Sequence, residues 1–296
     1  MIEPSKEGTV PVLGYQLFYR SYGQERGAGT VLCLHGGPGA SHEYLSPLAD
    51  LSQFGYRVVL FDQLACGRSE DPHDESLFTL AHHVEEVEGI RRALDLGRVH
   101  LMGSSYGGLL ALSYALKYQD HLRSLISTGG LASIPLTVAE MRRLRSELPQ
   151  EVRSVLEHYE ELGEFQNPEY LKAVDVFYRK HICRLAEWPE DVMRTFSNMG
   201  RVYQVMNGPN EFTITGRIKD VDVTADLGQI RVPCLITTGR YDEVTSQVAQ
   251  SIQDHIPGSR LVMFENSSHL PMWEERERYI QVLRDFLRSV DAPPQA

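Results

Sequence analysis

The sequence lacks a basic excess. Twenty-nine Lys and Arg face 40 Asp and Glu, for a net charge of −11. Nucleic-acid binders need a basic face, and anionic membrane surfaces attract one, so neither partner is expected. Cysteine is scarce. Cys33, Cys66, Cys183 and Cys234 are in no C-x-x-C spacing, which excludes the common zinc and dithiol motifs. Cys33 and Cys234 sit in apolar runs, where a free thiol behaves as a small hydrophobe; a reducing cytoplasm is the expected compartment. No apolar run approaches the length of a membrane span. The polar start MIEPSKEGTV has no apolar h-region, so a secretory signal is not expected. G-x-G-x-x-G, a P-loop and metal-ligand spacings are also missing, so no cofactor or metal is expected.

What is present is ordinary for a globular protein: 42% hydrophobic and 23% charged residues in a chain of 296. That length predicts one core domain with a sizeable insertion. Short β-rich runs alternate with helical patterns. TVLCLHG (30–36), YRVVLFD (56–62), RVHLMGS (98–104), LRSLISTGG (122–130), VPCLITTG (232–239) and SRLVMFE (259–265) are nearly continuous apolar strands. Such strands suit a parallel sheet covered on both faces. Helical periodicity fills 80–96 and 106–119, giving βαβ units. YQLFYRSYG (15–23) reads as an antiparallel edge strand or hairpin. From about 133 to 218 the rhythm turns helical, over 137–163, 168–183 and 189–200, with no strand signal until about 212. The expected division is a core of 1–132 and 219–296 with a helical cap of 133–218.

GSSYG (103–107) fits G-x-S-x-G with Ser105 at the nucleophile position. It follows an apolar strand and opens a helix, which is the context a nucleophile elbow requires. Ser104 is one residue off and should point elsewhere. A serine hydroxyl needs a base. In proteins built on this elbow the chain order is Ser, acid, His. His121, His158, His181, His255 and His269 follow Ser105. Only His269, in NSSHLPMWEE, lies on a loop after the last strand, at the carboxyl end of the sheet where catalytic groups gather. RYDEV (240–244) follows the preceding strand. Spacing alone does not divide Asp242 and Glu243 between orienting His269 and facing the cleft, but the shorter Asp242 is the expected triad member. HGGPG (35–39) is an HGG-type loop, so the backbone N–H groups of Gly37 and Tyr106 are the expected oxyanion donors. His35 should fix this loop by hydrogen bonding. The pattern points to a serine hydrolase.

Six motifs carry a resemblance: HGGPG, DQLACGRSE (62–70), GSSYGG, MNGPNEFTITG (206–216), YDEVT and SHLPMWE. From about residue 8 to 288 the chain resembles the α/β-hydrolase-fold proline iminopeptidases, and within them the archaeal tricorn-interacting aminopeptidases. The resemblance implies a mostly parallel sheet flanked by helices with a helical cap. It implies release of one residue from a peptide N-terminus, proline favoured, with Ser105, Asp242 and His269 as triad. It implies that Glu211 and Glu243 grip the free amino group of a short peptide, which a tricorn-like protease would supply. Charge-assisted bonds to that amine would keep the enzyme off internal bonds. Leu64 and Ala65 stand where the family usually has an aromatic and a glycine. A positive φ at Ala65 would shift that loop and bear on substrate range. Phe212, Tyr203 and Trp188 are candidates for the side-chain pocket, against the plainer reading that they pack the cap. An amino-acid amidase or carboxylesterase of the same fold is the alternative. A non-catalytic binding module would be expected to lack a triad member, and none is missing.

Overall fold

The computed structural model describes residues 2–25 and 27–292. Its centre is one eight-stranded sheet. The strands are β1 Lys6–Val12, β2 Tyr15–Tyr22, β3 Gly29–Leu34, β4 Tyr56–Phe61, β5 Val99–Ser104, β6 Leu122–Thr128, β7 Cys234–Gly239 and β8 Arg260–Phe264. Their order is β1-β2-β4-β3-β5-β6-β7-β8. The six strands from β4 to β8 are parallel, and β1 and β2 are antiparallel. The 15–23 stretch is the inner arm of a hairpin, and the edge is β1, whose polar alternation hid it. Leu13 and Gly14 close the hairpin with φ of 53° and 92°, as a two-residue turn matched to strand twist requires.

Side chains alternate across the sheet with period two. Leu32, Leu34, Val59 and Phe61 enter one apolar layer, while Val31, Cys33, Val58 and Leu60 enter the other. Both layers are closed by helices, so the central strands are buried on both faces, as their sequences require. One layer is built with α1 (Leu80–Ala93), α2 (Tyr106–Tyr118) and a helix at Ser246–His255. The other is built with the terminal helix, Arg276–Asp291, and the 3₁₀ segment His42–Phe54. Among the described residues no helix is long and apolar enough to cross a membrane, and all four cysteines are free and buried.

Between β6 and β7 lie five α-helices: α3 Ile134–Ser146, α4 Gln150–Leu162, α5 Pro168–His181, α6 Glu190–Ser197 and α7 Arg201–Met206. The 137–163 stretch is two helices, because Pro149 has no N–H to continue α3 and instead starts α4. No strand begins near 212; that segment is a loop with one isolated bridge, Asn210 to Thr213. The chain enters and leaves the helical segment side by side. Ile134 N–H donates to the Val221 carbonyl (2.9 Å), Val223 N–H to the Ala132 carbonyl (2.9 Å), and Ser133 Oγ to Asp222 (2.7 Å).

The contact that matters most for the site is α2 on β3 and β5. A Cβ at Gly107 would lie 2.3 Å from the Leu34 carbonyl oxygen, and one at Gly103 would lie 1.9 Å from that of Gly107. Only glycine lets the helix start this close to the sheet. Gly107→Ala should therefore cost about 3 kcal/mol or more, because the obstructing atoms are backbone. Calorimetry should show the melting temperature falling by roughly 6 °C or more. Melting within a degree of wild type would contradict this packing.

Candidate active site

Ser105 stands at the sharp corner between β5 and α2 with φ 60° and ψ −127°, a region a non-glycine residue enters only when its surroundings hold it there. Its N–H donates to the Thr128 carbonyl of the next strand (2.9 Å), and Gly108 N–H donates to its carbonyl (2.7 Å). Gly36 is packed against it, since a Cβ there would meet Ser105 Cβ at 2.7 Å. Ser104 is the last residue of β5 and fully buried.

The loops after β7 and β8 come together beside it. His269 Nδ1 donates to Asp242 Oδ1 (2.7 Å), which also accepts Val244 N–H (2.8 Å). Glu243 does not share this bond. Its Oε1 lies 3.9 Å from His269 Nε2, and it lines the cavity with Ser105, Gly37, Glu211 and His269. The division that spacing left open is thus made by geometry: Asp242 meets Nδ1, and Glu243 faces the cavity. Gly129, at the end of β6, leaves room for the pair, since a Cβ there would lie 2.9 Å from both Asp242 Oδ2 and His269 Nδ1.

The HGGPG loop is fixed from behind. His35 Nε2 accepts Gln63 N–H (3.0 Å), so Nδ1 carries the proton and donates to the Gly36 carbonyl (3.0 Å). His35 holds a loop, as expected. Gly36 N–H donates to Tyr44 OH (2.8 Å). Gly37, with φ 106°, lines both cavities over Ser105. Tyr106 opens α2, where an N–H has no partner within the helix, and its hydroxyl bonds to His83 Nδ1 (2.8 Å). Ala65 does have a positive φ, 60°. Its N–H nonetheless closes a turn on the Glu70 carbonyl (2.9 Å), and Leu64 N–H is held by the buried Glu86 carboxylate (3.0 Å). Neither Leu64 nor Ala65 lines the cavities over Ser105, so the departure is absorbed within its own loop.

Glu211 comes from the helical segment. Two asparagines shape its loop. The Asn207 carbonyl accepts the N–H groups of Thr215 and Gly216 (2.9 and 2.7 Å). Asn210 Oδ1 accepts Phe212 N–H (3.1 Å), and its Nδ2 donates to Tyr170 OH (2.6 Å). Gly208 has φ 133° with the Thr213 carbonyl in the way of any Cβ. The result drives Glu211 inward, where Oε1 accepts the Tyr203 hydroxyl (2.8 Å). Phe212 turns away from the cavity and packs on Phe177 (ring centroids 5.1 Å apart) and under Arg145. Trp188 donates to the Cys183 carbonyl and packs on Phe196. The plainer reading therefore holds for Phe212, while Trp188 lies outside the cavities over Ser105 and lines a groove on the helical segment.

One residue had no recognisable signal. His181 is the last residue of α5. Its carbonyl accepts the N–H groups of both Glu243 (3.3 Å) and His269 (3.2 Å), and its Nδ1 donates to the Tyr241 carbonyl (2.8 Å). A single helix end therefore holds both site loops. Only the folded chain brings residue 181 to them.

The cavity is charged by its own carboxylates. Burial raises Glu211 to about 7, against the Tyr203 hydrogen bond and the charge of His269, which lower it. Burial, then the charge of Glu211, raise Glu243 well above the carboxylate range. Burial alone would push His269 down, but Asp242, followed by Glu243 and Glu211, outweighs it and lifts the imidazole to about 9. The geometry can orient an imidazole beside a serine and attract a cation to the same small space.

Fold and site together define the class. The family model for the alpha/beta hydrolase fold matches residues 29–276. A proline iminopeptidase of Saccharolobus solfataricus is 52% identical over 288 residues, 96% of this chain and 93% of that protein. The crystal structure of VinJ superposes with a TM-score of 0.95 at 37% identity, covering 97% of this chain and 100% of that one. That of the Mycobacterium smegmatis proline iminopeptidase gives 0.90 at 32%, covering 97% and 99%. The chain belongs to the proline iminopeptidase family of α/β hydrolases.

Replacing Glu211 by Gln removes one of the anions that favour the imidazolium, so the His269 pKa must fall. Nitrogen NMR of the imidazole should show its titration moved to lower pH by on the order of half a unit or more. A titration unmoved or moved upward would contradict the shared cavity.

Proposed function

We propose that the protein is a serine aminopeptidase that releases the N-terminal residue, proline favoured, from short peptides. The observation that carries this reading is the pair of carboxylates, Glu211 and Glu243, buried in the cavity that Ser105 and His269 line. Glu243 Oε2 has no hydrogen-bond partner among the described residues. A free primary or secondary ammonium group supplies what this pair lacks. Each charge-assisted bond is worth about 1.5–3 kcal/mol, or roughly tenfold to over a hundredfold in affinity. An N-acetylated peptide offers neither charge nor donors at that point and should be rejected.

With the amine held, the scissile carbonyl lies over Ser105. His269 Nε2 takes the Oγ proton as Oγ bonds to the carbonyl carbon, and Asp242 steadies the imidazolium. The N–H groups of Gly37 and Tyr106 receive the oxyanion. The imidazolium returns its proton to the leaving nitrogen, the C–N bond breaks, and water repeats the sequence on the acyl-enzyme. Adjoining the carboxylates is a small, mostly aliphatic space whose walls include Leu131, Ile134, Met141, Ile214, Ile218 and Val244. That lining suits a compact apolar side chain such as the proline ring.

Residues 133–218 serve as the cap in this reading, over a core of 1–132 and 219–296. The pinned base at Ser133 and Asp222 and the delivery of Glu211 from the cap side support that division. A cytoplasmic setting accords with the four free cysteines. There a tricorn-like protease is the kind of partner that would supply short peptides.

The test is a panel of proline, alanine and phenylalanine arylamides beside simple acyl esters. Expected are arylamide cleavage with proline favoured, covalent fluorophosphonate labelling that Ser105→Ala abolishes, and rejection of N-acetylated substrates. In Glu211→Gln, kcat/KM for arylamides should fall by roughly tenfold to a hundredfold while Ser105 still labels. Ester cleavage without amine-dependent arylamide cleavage would overturn the reading.

A further inference from the structure

The helical segment carries a large concavity that the reaction described above does not use. It lies on the outer side of the helical segment, with a volume of about 860 Å³. That is the size class that takes a ligand as large as a short peptide. Its walls are aromatic: Phe165, Tyr178, Trp188, Phe196 and Tyr203, with Met199. Phe196 and Met199 also line the cavity over Ser105, so these two side chains separate the outer groove from the catalytic space. Tyr203 joins the two chemically, since it lines the groove and donates to Glu211.

The order from inside outward is then fixed by shared walls. The aliphatic space comes first, then the carboxylates with Ser105, then Phe196 and Met199, then the groove. An N-terminal residue held by Glu211 and Glu243 fills the first two places. Whatever is bonded to its carbonyl carbon must leave past Phe196 and Met199. We propose that the outer groove is the subsite for the leaving side of the substrate, the peptide chain that follows the scissile bond. This rests on the aminopeptidase reading and adds to it a substrate class: oligopeptides with apolar residues after the first, favoured over dipeptides and simple amides.

The charges at the groove agree with an apolar occupant. Among the described residues, Glu164 and Asp175 are the only charged ones that line it. Asp175 is paired with Arg179 (2.7 Å), and Glu164 accepts from Asn167 Nδ2 (3.2 Å). What remains for a ligand is ring surface together with the uncharged groups of Gln166, Gln204 and Thr215, which can bond a peptide backbone. Trp188 is held in place by its bond to the Cys183 carbonyl (3.0 Å) and its edge contact with Phe196 (5.4 Å), so an aromatic wall is ready before the chain arrives. An extended chain advances about 3.3–3.6 Å per residue, so several residues beyond the scissile bond are needed to exploit a groove of this size.

The experiment measures kcat/KM for proline amide and for C-amidated Pro-(Ala)n with n from one to five. The rise expected with length is about tenfold or more, followed by a plateau. In Trp188→Ala the rise should shrink to about threefold or less, with proline amide turned over within about twofold of wild type. Should that variant fail to fold, Gln204→Cys replaces an exposed groove residue in a protein whose own cysteines are all buried. Alkylation with a bulky maleimide should then remove the length gain while proline amide is still cleaved. Equal kcat/KM at all lengths, or a gain that survives alkylation, would overturn the groove assignment. Failure to cleave proline amide at all would instead strike the aminopeptidase reading.

Discussion

Two carboxylates buried in one small cavity are the constraint around which this site is organised. Charges removed from water are expensive unless paired, and like charges held together are more so. Among the described residues no lysine or arginine lines either cavity over Ser105. Burial raises both carboxyl groups above the ordinary carboxylate range, and Asp242, followed by Glu243 and Glu211, lifts His269. In the proposed reading, a cationic amine favours the ionised form of the pair and offsets its pull on the imidazole, while Asp242 still holds Nδ1.

The rest of the structure keeps that arrangement in place. The sheet brings the ends of β5, β7 and β8 side by side, and glycines at 36, 103, 107 and 129 allow backbone and side chains to approach closely. The helical segment contributes Glu211 from a loop that Asn207 and Asn210 shape, and His181 from the end of α5. Because the His181 carbonyl receives the N–H groups of Glu243 and His269, the same segment that presents one carboxylate also positions the other and the imidazole. Phe177 links these two contributions, packing on both Phe212 and His181.

Much of this was legible in the chain, and the limits are physical. The six parallel strands declared themselves because burial on both faces forces continuous apolar runs. β1 did not, because an edge strand with one solvated side carries polar residues and looks like a tail. The Ser-acid-His order is written in loops that directly follow strands, so it survives reading in one dimension. The preference of His269 for Asp242 over Glu243 depends on side-chain direction, which spacing does not encode. Helical periodicity continues on both sides of Pro149, and only its missing N–H marks where α3 gives way to α4. The mostly aliphatic lining beside the carboxylates draws on residues from 131 to 244, a set that no local pattern could assemble. Ala65 adopts a glycine-like φ because the turn to Glu70 and the Glu86 carboxylate hold its loop, a tertiary override of backbone preference.

The central claim is that Glu211 and Glu243 read the substrate's amino group. The most direct measurement compares prolyl arylamide with its carbocyclic isostere, in which the ring N–H is replaced by CH₂, in wild type and in Glu211→Gln/Glu243→Gln. The account predicts that wild type prefers the prolyl compound by about a hundredfold or more in kcat/KM, and that the double variant compresses this ratio to within about tenfold. Equal cleavage of the two compounds by wild type, or a ratio undiminished in the double variant, would contradict it.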